Sequence, residues 1–313
     1  MSDGIHRRGW LRAAGGAFAV TGGVGTPGIA SAGGINPGQF VLGLNTSTLR
    51  GHHLPLEEVV TIAIDAGYKG LEPWIDELEA HQAAGRSIKD LGKKLADSGV
   101  GVESAIGFFD WIVDDPARRK QGLESARKSM DLVRMIGGKR LAAPPVGATD
   151  ARMTDLDKIA ERYRALLELG DQMGVVPQAE IWGPSRTLSK LSEAAYVAIG
   201  AGHPRACVLA DVYHLYRGGS DFTGLSLLGP SAIHVLHFND YPAKPSREKL
   251  TDADRVYPGD GVAPLAAILT RLSEGGFKVM LSLELFNRQY WAQDPRSVAR
   301  TGLARMRGLV GPA

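Results

Sequence analysis

Four short apolar runs in the second half of the chain decide the fold, and each contains an acidic residue or a histidine near its carboxyl end. The clearest run reads CVLADVYH at residues 207–214. The others read VPQAEIW at 176–182, IHVLHFND at 233–240 and VMLSLELF at 279–286. Such runs are short for helices and rich in the aliphatic residues of buried strands. They predict parallel strands with metal-ligand-type side chains at their carboxyl ends.

Similar runs alternate with helical periods from residue 40 onward. The candidate strands are Phe40–Asn45, Gly70–Trp74, Gly101–Ile106, Arg140–Pro144, Val176–Ile181, Cys207–Val212, Ile233–Phe238 and Val279–Leu285. This alternation is typical of βα units with a parallel sheet. We therefore predict an α/β fold, a single-domain (β/α)8 TIM barrel over residues 40–313. A doubly wound open sheet is disfavoured because no glycine-rich phosphate loop follows the first strand.

The residues before the barrel have the composition of an export signal. Arg7 and Arg8 precede an alanine- and glycine-rich run that ends in the small residues Ala30–Ala32. Paired arginines followed by a mild apolar stretch resemble a twin-arginine signal. Pro27 and the many glycines argue against a stable membrane span. We expect residues 1–32 to be a twin-arginine-type signal peptide, residues 33–39 a short linker, and the protein to be periplasmic or otherwise exported.

Composition excludes several classes of protein. The chain has 313 residues, of which 44% are hydrophobic and 22% are charged, so it can bury a sizeable core. Its 36 Lys and Arg against 34 Asp and Glu give a net charge of +2, which argues against a nucleic-acid partner. The single cysteine, Cys207, excludes an internal disulfide and a multi-cysteine metal site. Composition leaves open whether the chain forms a homo-oligomer.

The four deciding runs predict one metal centre. In a barrel of this kind, residues at the carboxyl ends of the strands share one rim. Glu180, Asp211, His237 and Glu284 take these positions. Three buried carboxylates in strands without lysine or arginine repel one another, and a divalent cation removes that repulsion. Oxygen and imidazole ligands suit one Mn²⁺, Co²⁺, Mg²⁺ or Zn²⁺ ion.

This arrangement of ligands resembles the xylose-isomerase-like TIM-barrel superfamily. The superfamily includes sugar isomerases and epimerases, inosose dehydratases and isomerases, and the endonuclease IV group. The matching stretches are Glu180, DVYH at 211–214, HFND at 237–240, PGDG at 258–261 and SLELF at 282–286. The resemblance covers essentially the whole chain after the predicted signal. It implies a small-molecule sugar or cyclitol as the substrate.

The resemblance also implies roles for individual residues. A metal ion of this kind polarises adjacent hydroxyl and carbonyl oxygens and acidifies the proton between them. In the epimerases that the chain resembles, the two glutamates are both ligands and acid/base groups, which makes Glu180 and Glu284 the catalytic candidates. His214 is a third candidate, since its positive charge would stabilise an enediolate. Asp211 and His214 face opposite sides of a strand, so both reach the site if the strand ends near Val212. Alternatively, His214 packs in a cluster at the start of a helix.

Several further residues near the predicted strand ends are candidates for substrate binding. They are Asn45, Glu72, Trp74, Trp182, Arg255 and Arg288. The tryptophans could stack on a sugar face, although tryptophan at a barrel rim is as often a packing residue. Arg255 could bind a carboxylate or phosphate, or pair with Asp252 or Asp254 in its own loop.

The site is compatible with more than one function. A metal-dependent sugar or cyclitol isomerase or epimerase is preferred. A lyase, such as a dehydratase or eliminase on a keto-sugar or keto-inositol, needs the same proton abstraction. A non-catalytic periplasmic sugar-binding protein is a lesser alternative. A nuclease is disfavoured because Glu72 and Glu103 stand where the trinuclear endonuclease IV site needs histidines, and residues 254–256 read DRV without the further histidine.

Overall fold

The computed structural model describes residues 34–311. Its strands are β1 Phe40–Asn45, β2 Gly70–Glu72, β3 Gly101–Val102, β4 Arg140–Ala143, β5 Val176–Glu180, β6 Val208–Asp211, β7 Ile233–His237 and β8 Val279–Leu283. Its helices are α1 Ser47–Arg50, α2 Leu56–Ala66, α3 Ile75–Ala83, α4 Ile88–Asp97, α5 Pro116–Met135, α6 Leu156–Met173, α7 Leu191–Gly200, α8 Val212–Gly218, α9 Leu265–Glu274, α10 Arg288–Trp291 and α11 Pro295–Val310. Short 3-10 turns cover Pro37–Gln39, Phe222–Leu227, Arg247–Lys249 and Asp252–Asp254. At least one helix therefore separates every strand from the next.

The strands form one closed parallel sheet. Their order is β3-β2-β1-β8-β7-β6-β5-β4, and every strand pair is parallel. Beyond the end of β3, a parallel bridge from Ala105 to Leu141 of β4 joins the two edges of the sheet. The closed sheet with helices outside confirms the predicted TIM barrel.

All strands except β1 end earlier than the sequence predicts, which brings polar residues to the rim. β2 ends at Glu72, β6 at Asp211 and β8 at Leu283. At β6 the reason is local, because the carboxylate of Asp211 accepts the backbone N–H of His214 at 2.9 Å and so caps α8. The early turn makes Asp211 the last residue of its strand and starts a helix at the next residue.

The barrel interior is packed below the rim. Ile106, Ala142, Leu209, Val235 and Met280 form a buried apolar layer there. Glycines in β1 and β2 make room for Met280, since a Cβ atom at residue 70 would lie 2.5 Å from its sulfur. A filled interior restricts any ligand to the open face at the carboxyl ends of the strands.

The predicted signal peptide, residues 1–32, and the first residue of the predicted linker lie outside the described residues. Within residues 34–311, no helix is long and apolar enough to cross a membrane.

Candidate active site

Five strand ends bring ionisable side chains together at the carboxyl face of the barrel. We call Glu72, Glu180, Asp211, His237 and Glu284 the rim cluster. All five are buried, with at most 4% of each residue exposed. Strand register explains the proximity of three of them, because Asp211 pairs with His237, and His237 pairs with the residue two before Glu284. Parallel strands that end at one level place their last side chains side by side.

Three members of the rim cluster are arranged to hold one metal ion. Asp211, His237 and Glu284 each offer a ligand atom, and these atoms lie within 4.8 Å of one another. His237 Nδ1 is 3.1 Å from Glu284 Oε2 and 3.4 Å from Asp211 Oδ2. Neither ring nitrogen of His237 makes a well-aligned hydrogen bond with a described residue, and Nδ1 faces both carboxylates. Two carboxylates and an imidazole fit a divalent cation.

Glu180, the fourth predicted ligand, lies outside this group of three. It ends β5 and lines the cavity above the cluster. Burial raises the pKa of Glu180 to about 8, and Glu284 and Asp211 also favour its protonated form. Its Oε2 atom has no hydrogen-bond partner among residues 34–311. Glu180 is therefore a neutral carboxylic acid near pH 7, and one of its oxygens is buried without a hydrogen-bond partner.

Glu72 lies behind His237, away from the cavity. Its Oε2 atom is 3.1 Å from His237 Nε2 and accepts hydrogen bonds from Ser282 Oγ at 2.7 Å and Asn45 Nδ2 at 3.0 Å. A carboxylate against the far nitrogen of a ligand histidine sets the tautomer and the orientation of the ring. Contact at Nε2 leaves Nδ1 directed at Asp211 and Glu284.

The placement of Asn45 and Glu72 corrects the prediction that they contact the substrate. Both are fully buried, and neither lines the cavity. Asn45 donates to Glu72 and, at 3.2 Å, to Glu284 Oε1, while its Oδ1 atom accepts the indole N–H of Trp74 at 2.9 Å. Both side chains point into the barrel, where they hold the residues that do face the cavity.

Arg255 brings a positive charge into the rim cluster from the loop between β7 and α9. Its Nη1 atom donates to Asp211 Oδ2 and Glu284 Oε2, both at 2.8 Å. Its Nη2 atom donates to Asp252 Oδ1 at 2.5 Å and to His214 Nε2 at 3.2 Å. The strands considered alone predict three buried carboxylates without a cation from the protein. Arg255, whose side chain is 1% exposed, corrects this prediction because it supplies a cation from a loop. The loop pairing with Asp252 is present alongside the contacts in the cluster.

The charges of the rim cluster shift one another's protonation. Burial opposes ionisation of Asp211, but Arg255, His214 and His237 together outweigh it and hold the pKa of Asp211 well below its usual value. Burial would also lower the pKa of His237, yet the carboxylates of Glu284 and Glu72 raise it well above its usual value. In the metal-free protein His237 is therefore a cation between carboxylates. A metal ion would have to displace that proton.

A cavity of about 430 Å³ opens above the cluster. Four aromatic side chains in its wall, Trp74, Phe108, Trp182 and Phe286, form what we call the aromatic collar. Their ring centroids are 5.2 Å apart for Trp74 and Phe108, and 6.0 Å apart for both Phe108–Trp182 and Trp74–Phe286. The two tryptophans thus stand in the wall, where stacking on a ring-shaped ligand is possible.

His214 meets the geometric condition set by the sequence, because β6 ends at Asp211 and α8 begins at Val212. The side chain lines the cavity, and burial lowers the pKa of His214, which favours a neutral ring. Its ring also lies 5.2 Å from that of Tyr213, as the packing alternative expected. Arg288 is different: it is an exposed residue at the start of α10 and is not part of the cavity wall. This corrects its prediction as a substrate-binding residue.

Sequence reasoning missed two residues that hold the site. Asn239 Nδ2 donates to both carboxylate oxygens of Asp211, at 3.3 and 3.2 Å. The carboxylate of Asp240 accepts the backbone N–H groups of residues 241, 259, 261 and 263, and so fixes the loop that carries Arg255. Their position directly after a predicted ligand, in the run HFND, was the available signal.

Curated relatives include two kinds of enzyme. The inosose isomerase of Bacillus licheniformis is 28% identical over 202 residues, which cover 63% of this chain and 71% of that protein. The 3-dehydroshikimate dehydratase of Pseudomonas putida is 23% identical over 251 residues, which cover 79% of this chain and 39% of that protein. The chain thus resembles isomerases over most of their length and dehydratases over a part of theirs.

Solved structures share the fold. The crystal structure of the IolI protein with a bound zinc atom has a TM-score of 0.79 at 21% identity and covers 86% of this chain and 98% of that chain. The structure of L-ribulose 3-epimerase has a TM-score of 0.70 at 19% identity, with 86% and 94% covered. The family model described as xylose isomerase-like TIM barrel matches residues 60–309. The chain therefore belongs to the xylose isomerase-like TIM-barrel family.

Proposed function

We propose that the protein is a divalent-metal-dependent isomerase or epimerase that acts on a keto-sugar or keto-cyclitol. One observation carries the proposal: Glu180 and Glu284 flank the ligand pair Asp211 and His237 on the barrel rim, and both glutamates line the cavity. Two carboxyl groups on either side of one bound carbon can remove a proton and return one. The inosose isomerases and the epimerase among the similar proteins support this class of reaction.

Asp211, His237 and Glu284 would hold the metal ion. When bound, the ion would polarise a carbonyl and a neighbouring hydroxyl of the substrate and acidify the proton between them. Glu284 accepts hydrogen bonds from Arg255 and Asn45, which hold its carboxylate at the cavity wall, where it can take up that proton. Glu180 lines the cavity and holds a proton near neutral pH, so its carboxyl group can deliver that proton to a bound molecule. The two roles exchange in the reverse direction.

A lyase reaction at the same site is the second candidate. The neutral carboxyl of Glu180 favours it, since a protonated acid beside the cavity can also protonate a departing hydroxyl group. The similarity to 3-dehydroshikimate dehydratases supports this possibility. The two candidates share the first proton abstraction and differ in what leaves the neighbouring carbon.

Turnover in D₂O tests the proposal. Protein reloaded with Mn²⁺, Co²⁺, Mg²⁺ or Zn²⁺ is incubated with an inosose or a keto-hexose, and the products are analysed by mass spectrometry and NMR. An isomerase or epimerase incorporates deuterium at carbon and gives a product with the same molecular formula as the substrate apart from that deuterium. A lyase instead gives a product that has lost water. Glu180→Gln should abolish incorporation, and Glu103→Gln, which changes a glutamate outside the cavity wall, should not. Binding without incorporation or loss of water would contradict both enzymatic candidates and support a sugar-binding protein.

We also propose that the protein acts after export through the twin-arginine pathway. The paired Arg7 and Arg8 and the small residues at Ala30–Ala32 support this location. Residues 1–32 fused to a reporter that folds in the cytoplasm should direct it across the membrane, and replacing both arginines by lysine should retain it. Equal localisation of the two fusions would contradict the proposal.

A further inference from the structure

The hydrogen-bond donors of Arg255 are almost fully used within the protein. A guanidinium has five N–H groups, four of them on the two Nη atoms. Nη1 donates to Asp211 and Glu284, and Nη2 donates to Asp252 and His214. The fifth group, at Nε, has no partner and is buried out of reach of solvent. Arg255 thus forms part of the cavity wall without offering a free N–H group to a ligand.

Aromatic packing also holds this guanidinium in place. Its central carbon lies over the ring of Tyr213, 4.5 Å from the centroid, and over the ring of Phe286, at 5.2 Å. Cation–π contacts of this kind stabilise a buried guanidinium and restrict its rotation. A ligand anion could therefore bind Arg255 only if one of the four acceptors gave way.

The charge around the cavity is unfavourable to anions. Among the residues that the structure describes, Arg255 is the one lysine or arginine in the cavity wall, whereas Asp150, Glu180, Asp252 and Glu284 all contribute carboxyl groups. Asp211 lies directly beneath. Even without Glu180, the carboxylates of Asp150, Asp252, Glu284 and Asp211 outnumber the positive charges of the guanidinium and a divalent ion together. Like charge in a partly desolvated cleft disfavours the entry of an anion.

Asp252 is the partner of Arg255 that can control access to it. Asp211 and Glu284 belong to the predicted metal site, and His214 accepts through a ring nitrogen rather than a carboxylate. Asp252 instead lies on a 3-10 turn at the mouth of the cavity, and 49% of its side chain is exposed. Its removal would leave an Nη2 N–H group facing the cavity beside the aromatic collar. A guanidinium with free N–H groups is a strong binding site for carboxylates.

We propose that Asp252 is a specificity-determining residue, which neutralises the cavity-facing edge of Arg255 and restricts the site to uncharged polyhydroxylated rings. Carboxylated and phosphorylated rings are excluded because the guanidinium that would bind them is already paired. The inference rests on the proposed function in that the cavity is taken to bind a sugar or cyclitol. It adds the charge of the substrate and the residue that selects for it.

The test compares two ligands that differ in one group. Glucose and glucuronate share a ring and differ in a hydroxymethyl against a carboxylate. Their dissociation constants for the full chain with Mg²⁺ are measured by the fluorescence of Trp74 and Trp182, with calorimetry as a second readout. We expect the wild-type protein to bind glucose at least about tenfold more tightly. Asp252→Ala should shift the ratio of the two constants toward glucuronate by about tenfold or more, equivalent to about 1.4 kcal/mol.

Asp254→Ala is the matched control. Asp254 lies on the same 3-10 turn and caps it through Thr251, without contacting Arg255. This variant should leave the ratio unchanged, which separates loss of charge at Arg255 from disturbance of the turn. Should Asp252→Ala fail to fold, Asp252→Asn keeps the shape of the side chain and should shift the ratio in the same direction by a smaller factor.

Each outcome bears on a different claim. Equal binding of glucose and glucuronate by the wild-type protein would overturn the inference and leave the proposed function intact. An unchanged ratio in both Asp252 variants would overturn the role of Asp252. Binding of neither ligand by the wild-type protein would contradict the sugar site itself, and the inference with it.

Discussion

Charged side chains gather at two places on the barrel strands, and the two clusters are built in opposite ways. At the beginning of β4, Glu103 accepts from Lys139 at 2.6 Å and from Arg140 at 2.9 Å; we call these three residues the basal cluster. Its side chains are 16–62% exposed, and its carboxylate has two cations. The rim cluster instead buries four carboxyl groups, with Arg255 as the guanidinium that reaches it.

The difference separates a cluster whose charges are balanced by its own members from a cluster with an excess of buried carboxyl groups. The basal cluster is neutralised by its own members and by water, so it needs no ligand, and exposed ion pairs of this kind contribute little. The rim cluster holds like charges in a low-dielectric setting, an arrangement that costs free energy without a further cation. An excess of buried carboxyl groups at the catalytic face of a barrel is thus the feature that indicates function.

The largest effect should come from Glu180, which lines the cavity but lies outside the group of three ligands. Glu180→Gln removes the proton carried at neutral pH, so turnover should fall by about 10²–10⁴-fold. Because Glu180 is not in that group, the variant should keep its metal. Glu103→Gln, the same change in the basal cluster, should leave turnover unchanged. Turnover and metal content are measured on the same preparations, and loss of the metal from Glu180→Gln would contradict the three-ligand arrangement.

Removing the arginine that pairs with the carboxylates of each cluster should produce very different losses of stability. Arg255→Met leaves Asp211 and Glu284 without their buried cation, so the metal-free protein should lose about 3–5 kcal/mol of unfolding free energy. A bound divalent ion should restore part of that loss. Arg140→Met, in the partly exposed basal cluster, should cost about 1 kcal/mol or less. Denaturant unfolding with and without metal measures both, and equal losses would contradict the comparison.

Glu72 should act on the metal through His237. Glu72→Gln weakens the carboxylate contact that orients the ring, so metal affinity should fall by about 10–100-fold, as for other outer carboxylates of ligand histidines. Titration against a competing chelator gives the dissociation constant. Glu77→Gln, at a glutamate outside the rim cluster whose carboxylate bonds Thr46, is a control that should not change it. Equal affinities of Glu72→Gln and the wild type would show that His237 is oriented without Glu72.

The smallest effect is a dependence of metal affinity on pH. The pKa of His237 is raised in the metal-free protein, so the ring is protonated at neutral pH and must lose that proton to bind a metal. Affinity should therefore increase with pH, by up to about tenfold per unit while the pH remains below the raised pKa. Calorimetry in buffers of different ionisation enthalpy counts the released proton. A constant affinity between about pH 6 and pH 8 would contradict a protonated His237.

The barrel and most of the rim cluster were predictable from the sequence because both depend on local patterns. Apolar runs at regular spacing indicate the strands, and a polar residue directly after such a run must lie at the rim. Asp211, His237 and Glu284 were found in this way. The prediction that His214 reaches the site if its strand ends near Val212 was also local, because one capping hydrogen bond to Asp211 ends the strand there.

The remaining features depend on contacts between residues far apart in the chain. Arg255 follows His237 by a long irregular loop, and the backbone hydrogen bonds to Asp240 fix the loop that returns the guanidinium to the cluster. Glu72 meets His237 across the barrel interior, between strands that are not neighbours in the sheet. No periodicity in the sequence encodes either contact. The strand ends locate the site, whereas its loop contacts and cross-barrel contacts determine its charge.

The central claim is that Asp211, His237 and Glu284 hold one divalent metal ion beneath the cavity. Metal analysis by plasma emission spectroscopy, after reloading and dialysis, tests it most directly when the wild-type protein is compared with Glu284→Gln and Glu180→Gln. We expect about one equivalent of metal in the wild type and in Glu180→Gln, and a clear reduction in Glu284→Gln. No bound metal in the wild-type protein, or an equal content in Glu284→Gln, would contradict it.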